Sequence, residues 1–181
     1  FFKDNIWSMV KGKRDLMDEN DKKIFNNLSL YEPEFFKNNN LMFNNPNRFV
    51  GFGWSHNLND NGIWSEGNFS NLLFKISNVN TDIFFEMDII PFVNKKNKEL
   101  DIEVYINGKF NNELKFKFTE DSLEKKTKVN FKIKKENITN NMINIEFRNL
   151  NLKSPYDLLI SPDSRKLNFL LLNFNFFKKN I

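Results

Sequence analysis

Asp101-Ile102-Glu103-Val104-Tyr105-Ile106-Asn107-Gly108 is the stretch that decides the fold. Polar and apolar residues alternate one by one through Ile106, the period of a strand that buries one face. Asn-Gly follows, the pair that most readily takes the left-handed conformations of a tight hairpin. Glu113-Leu114-Lys115-Phe116-Lys117-Phe118 is the expected partner, and the gap before it predicts a longer loop than a minimal hairpin. The same period of two runs outward on both sides. It is read at Phe49–Phe52, Asn71–Ile76, Asp82–Ile90, Lys128–Lys134, Met142–Phe147 and Leu167–Phe176. Short strands at such regular spacing, about eight or nine of them, predict an all-β chain. The fold expected is an antiparallel β-sandwich of jelly-roll type over residues 41–181. Alternation turns Phe, Ile and Leu inward, each worth about 1.5–3 kcal/mol when buried.

Residues 1–40 read differently. Asp15-Leu16-Met17-Asp18-Glu19-Asn20-Asp21-Lys22-Lys23-Ile24-Phe25 is charged with loosely helical apolar spacing, and Glu32-Pro33-Glu34 breaks what precedes it. This segment is expected to be a linker with a short helix, joined to an upstream domain. The chain begins at Phe1 rather than methionine, which is read as an excised piece of a longer protein.

The 181 residues suit one domain with a proper core. Phe is used 22 times and alanine not at all. Phe, Ile, Lys and Asn share A/T-rich codons, so this bias carries no functional meaning. Against 27 basic residues stand 23 acidic ones, giving a net charge of +4. The lysines alternate with apolar residues, as in Lys115-Phe116-Lys117-Phe118, which predicts solvated strand faces guarded against edge pairing. No basic stripe of the kind nucleic acids need is present, so no nucleic-acid partner is expected. Cysteine is absent, which excludes disulfides and thiolate metal sites and fits a cytoplasmic protein. The inner face of the cell membrane is the alternative location. No apolar run reaches the roughly 20 residues of a membrane span.

Gly53-Trp54-Ser55-His56-Asn57-Leu58-Asn59-Asp60-Asn61-Gly62-Ile63-Trp64-Ser65-Glu66-Gly67 concentrates the chemistry, with two of the three tryptophans and the single histidine. A sugar's apolar ring face stacks on an indole while amides and carboxylates take its hydroxyls. The candidate ligand-binding residues are Trp54, His56, Asn57, Asp60, Asn61, Trp64 and Glu66. One indole is expected as a core plug and the other as the stacking platform. His56 is either a donor titrating near neutral pH or a plain loop histidine. Asn59, Asp60, Asn61 and Glu66 are hard oxygen donors of the kind calcium takes, but Asn-Asp-Asn-Gly is first a turn sequence, and no metal is assigned.

Most catalytic constellations are missing. A Cys–His pair is impossible, and neither a Gly-x-Ser-x-Gly elbow nor a phosphate loop occurs. Asp60 and Glu66 are a conceivable pair for glycoside hydrolysis, although loop carboxylates are usually only solvated. No catalytic residue and no cofactor are assigned. A second stretch, Ser154-Pro155-Tyr156-Asp157 to Ser161-Pro162-Asp163-Ser164-Arg165-Lys166-Leu167, is stiffened by two prolines. Asp163 and Arg165 are placed to pin that corner, and Arg165 is also a candidate contact for an acidic sugar or a phosphate.

Together these stretches resemble a β-sandwich accessory domain found beside glycosyltransferases in bacterial capsule and O-antigen clusters. Its motifs are matched by Gly53-Trp54, Gly62-Ile63-Trp64-Ser65-Glu66-Gly67 before an aliphatic strand, and Val104-Tyr105-Ile106-Asn107-Gly108. They close with Ser154-Pro155 and Ser161-Pro162-Asp163-Ser164-Arg165-Lys166-Leu167. The resemblance runs from Leu41 to Ile181 in order. One departure is that Asn57–Asn61 stands where the family often has Pro-Glu, which removes that glutamate from any ligand contact. The resemblance implies a surface-polysaccharide pathway, with this domain binding glycan or positioning a transferase. The expected partners are a glycan or sugar-linked substrate and an upstream catalytic domain of the same chain. Two rivals remain. One is a glycan-active enzyme using the Trp54–Glu66 loop; the other is a structural interaction domain with both indoles buried.

Overall fold

The protein is described by a computed structural model at residues 39–40, 49–55, 62–76, 79–149 and 151–178. The helical or linker segment expected over 1–40 lies outside these residues except for Asn39–Asn40. The strands are β1 (Asn39–Asn40), β2 (Ile63–Glu66), β3 (Phe69–Lys75), β4 (Ile83–Pro91) and β5 (Glu99–Ile106). They continue with β6 (Lys109–Thr119), β7 (Thr127–Ile133), β8 (Met142–Arg148) and β9 (Leu167–Phe177). One sheet runs β1-β9-β4-β7, with β2 on the same side of β9 as β1, and the other runs β3-β8-β5-β6. Every ladder is antiparallel and the pairings nest: β5 with β6, β4 with β7, β3 with β8, β2 with β9. That is a doubled-back ribbon wrapped into two sheets, the jelly-roll sandwich.

Asn107 and Gly108 form the tip of the ribbon, with φ of 50° and 78°. Ile106 pairs with Lys109 and Tyr105 with Phe110, so the hairpin is minimal. The longer loop expected from sequence is not there. Its extra residues enter β6 instead, because the next aligned pair is Glu103 with Lys115. An irregularity of this kind twists the strand without opening the turn. The Asn107 side chain then fastens the tip to β8. Its Oδ1 accepts from Asn144 N at 2.8 Å, and its Nδ2 donates to the carbonyls of Met142 and Asn137.

Alternation sorts the core as the sequence predicts. Leu100, Ile102, Val104 and Ile106 of β5 are buried, as are Ile83, Phe85, Met87 and Ile89 of β4. In β9 the inward set shifts phase, from Phe169 and Leu171 to Phe174 and Phe176. Leu172 is the residue left over where Asp88 pairs with Asn173 and Ile89 with Leu171, and this bulge returns both halves to the core. The sheets meet on aromatic rings. Phe74 of β3 lies 5.0 Å from both Phe174 and Phe176 and 6.1 Å from Phe85, ring centre to ring centre. On the outer faces, Lys128 pairs with Glu86 at 2.8 Å and Lys117 with Glu99 at 2.9 Å, exposed cross-strand pairs of small individual worth.

Phe49–Phe52, expected as a strand, forms only an isolated bridge at Val50. It still runs along β3, with Leu73 N donating to Phe49 O and Gly51 N to Asn71 O.

Two outcomes follow for urea denaturation. Phe74→Ala leaves a cavity where the sheets meet and is expected to cost about 3–5 kcal/mol. Asn107→Gly keeps the left-handed turn but strands the groups its side chain satisfies, and is expected to cost about 1–3 kcal/mol.

Candidate functional site

The Trp-bearing stretch is held by two short pairings. Ser55 N donates to Trp64 O and Glu66 N to Gly53 O, so residues 53–55 run antiparallel to β2. Gly53 sits at φ 73°, and a Cβ there would overlap the Phe69 carbonyl. Glycine is therefore required on two counts. Behind it, buried Asn71 accepts from Phe52 N at 2.7 Å and donates to Asn144 Oδ1 at 2.8 Å. A second buried network links Asn149 to Asn168, Asn168 to Ser65, and Ser65 to Ser70. These amides satisfy one another at a depth where an unpaired polar group would cost about 1–3 kcal/mol.

The two indoles separate cleanly. Trp54 is 8% exposed, its Nε1 donates to Asn71 O at 2.9 Å, and its ring meets Phe147 and Phe169 edge to face. It is the core plug. Trp64 is half-buried on the outward side of β2, braced edge to face by Phe92 at 6.2 Å. The Gly62–Gly67 stretch, read as loop, is thus a strand that fixes Trp64 and Glu66 in place.

Arg165 brings distant segments together. Its Nη1 donates to Ser55 Oγ and Glu66 Oε1, both at 3.0 Å, while Nε and Nη2 hold Asp163 at 2.9 and 2.6 Å. Gly67 N donates to Lys166 O beside it. The hydrogen bonds from Arg165 hold the Asp163 carboxyl below the usual carboxylate range, and Asp163, then Glu66, raise the guanidinium in return. The preceding crossover is pinned by a reciprocal box, Ser154 N to Asp157 Oδ2 and Asp157 N to Ser154 Oγ. That spacing is a legible signal in the sequence, Ser-x-x-Asp, and sequence reasoning passed over it. The buried Ser65–Asn168 network has no comparable signature. His56, Asn57, Asp60 and Asn61 lie outside the described residues.

The chemistry of the rim follows from this arrangement. Glu66 and Asp163 meet on one guanidinium, which for Asp163 favours the charged form, the reverse of what a general acid needs. Among the described residues no three His, Asp or Glu side chains gather as a metal would require. What the rim offers is a braced indole beside fixed carboxylate acceptors.

Because Asp163 is lowered in the folded protein, its contribution to stability is present above its unfolded pKa of about 3.9 and is lost as pH falls through the folded value. Asp163→Asn is therefore expected to destabilise at pH 7 and much less at pH 3, measured as urea midpoints at the two pH values.

Neither a protein-family model nor a curated protein matches the chain. Solved structures do. A family 28 carbohydrate-binding module specific for non-crystalline cellulose aligns at 12% identity, over 81% of this chain and 96% of its own, with a TM-score of 0.41. A family 35 carbohydrate-binding module from an environmental isolate aligns at 12% identity, over 80% and 87%, with a TM-score of 0.39. The cycloalternan-forming enzyme from Listeria monocytogenes, solved with a pentasaccharide substrate, aligns at 12% identity over 70% of this chain, with a TM-score of 0.39. The chain spans only 11% of that enzyme's length. At these identities and scores, what this β-sandwich binds has to be argued from its own residues.

Proposed function

We propose that the chain is a non-catalytic carbohydrate-binding module that takes glycan at the Trp64 rim. The observation that carries this reading is the convergence on Arg165. Ser55, Glu66 and Asp163 come from separate stretches of sequence and meet one guanidinium beside the half-buried indole. Such a rim stacks a sugar's apolar face on Trp64 and accepts hydrogen bonds from its hydroxyls at Glu66 and Asp163. His56, Asn57, Asp60 and Asn61 belong to the intervening stretch and are proposed as further hydrogen-bonding contacts. A shallow site of this kind binds weakly and serves by raising the local concentration of substrate for a linked enzyme.

The same motifs are those that resemble accessory domains of capsule and O-antigen sugar transferases. The finer proposal is therefore a module of a larger sugar transferase in bacterial surface-polysaccharide synthesis, working at the cytoplasmic side. A positioning role has its own support. Tyr156, Leu159 and Ile160 are 61%, 84% and 50% exposed on a loop whose Leu158 and Leu159 carbonyls accept from Lys96 Nζ. An apolar tip held this firmly suits docking against the catalytic domain of the same protein.

Tryptophan fluorescence, titrated with capsule or O-antigen oligosaccharides, tests the glycan reading. The parent is expected to show a saturable change, and Trp64→Ala, with folding checked by circular dichroism, to bind at least about tenfold more weakly, about 1.4 kcal/mol. An unchanged affinity in the variant would move the site away from the rim.

A further inference from the structure

β6 and β7 are each an edge strand of their sheet, and between them the sandwich holds a cleft of about 310 Å³. That volume lies at the lower end of the range for small-ligand sites. Lys109 and Phe110 enter it from the start of β6, Lys132 from β7, and Lys134 and Asn137 from the turn that follows, over Leu114 as an apolar floor. The walls are fixed to each other, because Asn107 donates to the Asn137 carbonyl across the gap.

Two features point to the ligand. The first is charge. Lys132 is engaged by Asp82 at 2.7 Å, whereas among the described residues neither Lys109 nor Lys134 has a carboxylate within ion-pair distance. Exposed Glu136 on the lip offsets only part of that positive charge. The second is an aromatic surface. Phe110 is 39% exposed, and its ring rests 5.1 Å from Tyr105, which itself carries the Arg148 guanidinium 3.8 Å from its ring centre. A ring buttressed by a tilted neighbour at 32° and left this open is a platform for a flat apolar face.

We propose that this cleft is a second binding site, for an anionic sugar residue. Its carboxylate or phosphate is taken by Lys109 and Lys134, its ring lies on Phe110, and its hydroxyls meet Asn137. The inference shares with the proposed function only the class of ligand, since the residues and the end of the sandwich are different. Lysine suits the task as a strongly hydrated point charge that serves either anion without demanding bidentate geometry.

The test is a proton–nitrogen NMR titration of the full chain with glucuronate, glucose 6-phosphate, glucose and inorganic phosphate in parallel. Amides of Lys109, Phe110, Lys134 and Asn137 are expected to shift saturably with at least one of the two anionic sugars and not with glucose. Which of the two acts separates a carboxylate from a phosphate ligand. The double variant Lys109→Ala, Lys134→Ala is expected to weaken the response at least tenfold. Phe110→Ala is expected to weaken the sugar anion while leaving the response to inorganic phosphate unchanged. Trp64→Ala should not alter the cleft shifts, so failure at the rim and failure at the cleft are read separately. The inference is overturned if neither sugar anion binds, if glucose shifts the same amides equally, or if inorganic phosphate shifts them as strongly as the sugar anions do. An oligothymidylate shifting the cleft amides while both sugar anions leave them unmoved would also overturn it, and would make the cleft a nucleic-acid contact.

Discussion

The turn at Asn107–Gly108 is the point about which the whole chain doubles back. Each antiparallel pairing encloses the one before it, from β5 with β6 out to β2 with β9, so closing the innermost hairpin brings the outer pairs of strands together. A slip of one residue there would turn the buried side chains of β5 or β6 outward. Asn107 supports this role twice over. It adopts the left-handed conformation at lower cost than most residues, and its amide ties the tip to β8 through Asn144. Asn144 in turn accepts from Asn71, and Asn71 holds the backbone of Phe52 and the Trp54 indole. One line of satisfied amides thus runs from the tip of the ribbon to the segment that supports the rim.

The alternating strands were legible because burial in a sandwich has period two; β5 and β7 show it without interruption, and β4 and β8 break it only where Asp88 and Asn144 are buried. Where the reading failed, a local signal was overruled by a neighbour. Ile63-Trp64-Ser65-Glu66 is short and lies among glycines and polar residues, so it reads as loop. β9 makes it a strand by offering an edge to pair with. Phe49–Phe52 reads as a strand, yet Gly53 turns left-handed against the Phe69 carbonyl and stops it. The extra residues after Phe110 read as a loop but are absorbed inside β6, because Asn-Gly already closes the hairpin at its own tip.

At the rim the kinds of residue were legible but their roles were not. Trp54 and Trp64 are equivalent in sequence, each beside glycine-rich turns. Their fates diverge because Trp54 faces Phe147 and Phe169 across the two sheets, while among the described aromatic rings Trp64 meets Phe92 on the outside. The pairing of Asp163 with Arg165 could be read from their separation of two positions. That Arg165 also reaches Ser55 and Glu66 is a consequence of the nested topology, which brings the start of β9 beside the end of β2.

The electrostatics of the two regions set what each can recognise. At the rim the guanidinium already holds two carboxylates and a hydroxyl, so an incoming anion would have to displace partners that are covalently tethered nearby. The groups left with spare capacity are carboxylate lone pairs, which accept from neutral hydroxyls. As a glycan site, the proposed role, a rim of this kind would favour uncharged sugar faces stacked on Trp64 and disfavour acidic ones. In the cleft the balance is reversed, because Lys109 and Lys134 have donors to offer and Asp82 is committed to Lys132. A polymer that alternates neutral and acidic residues would satisfy both surfaces, each discriminating against the residue the other prefers. On the two proposals together, weak contacts of opposite preference on one sandwich would read composition along a chain, a selectivity that neither surface would attain alone.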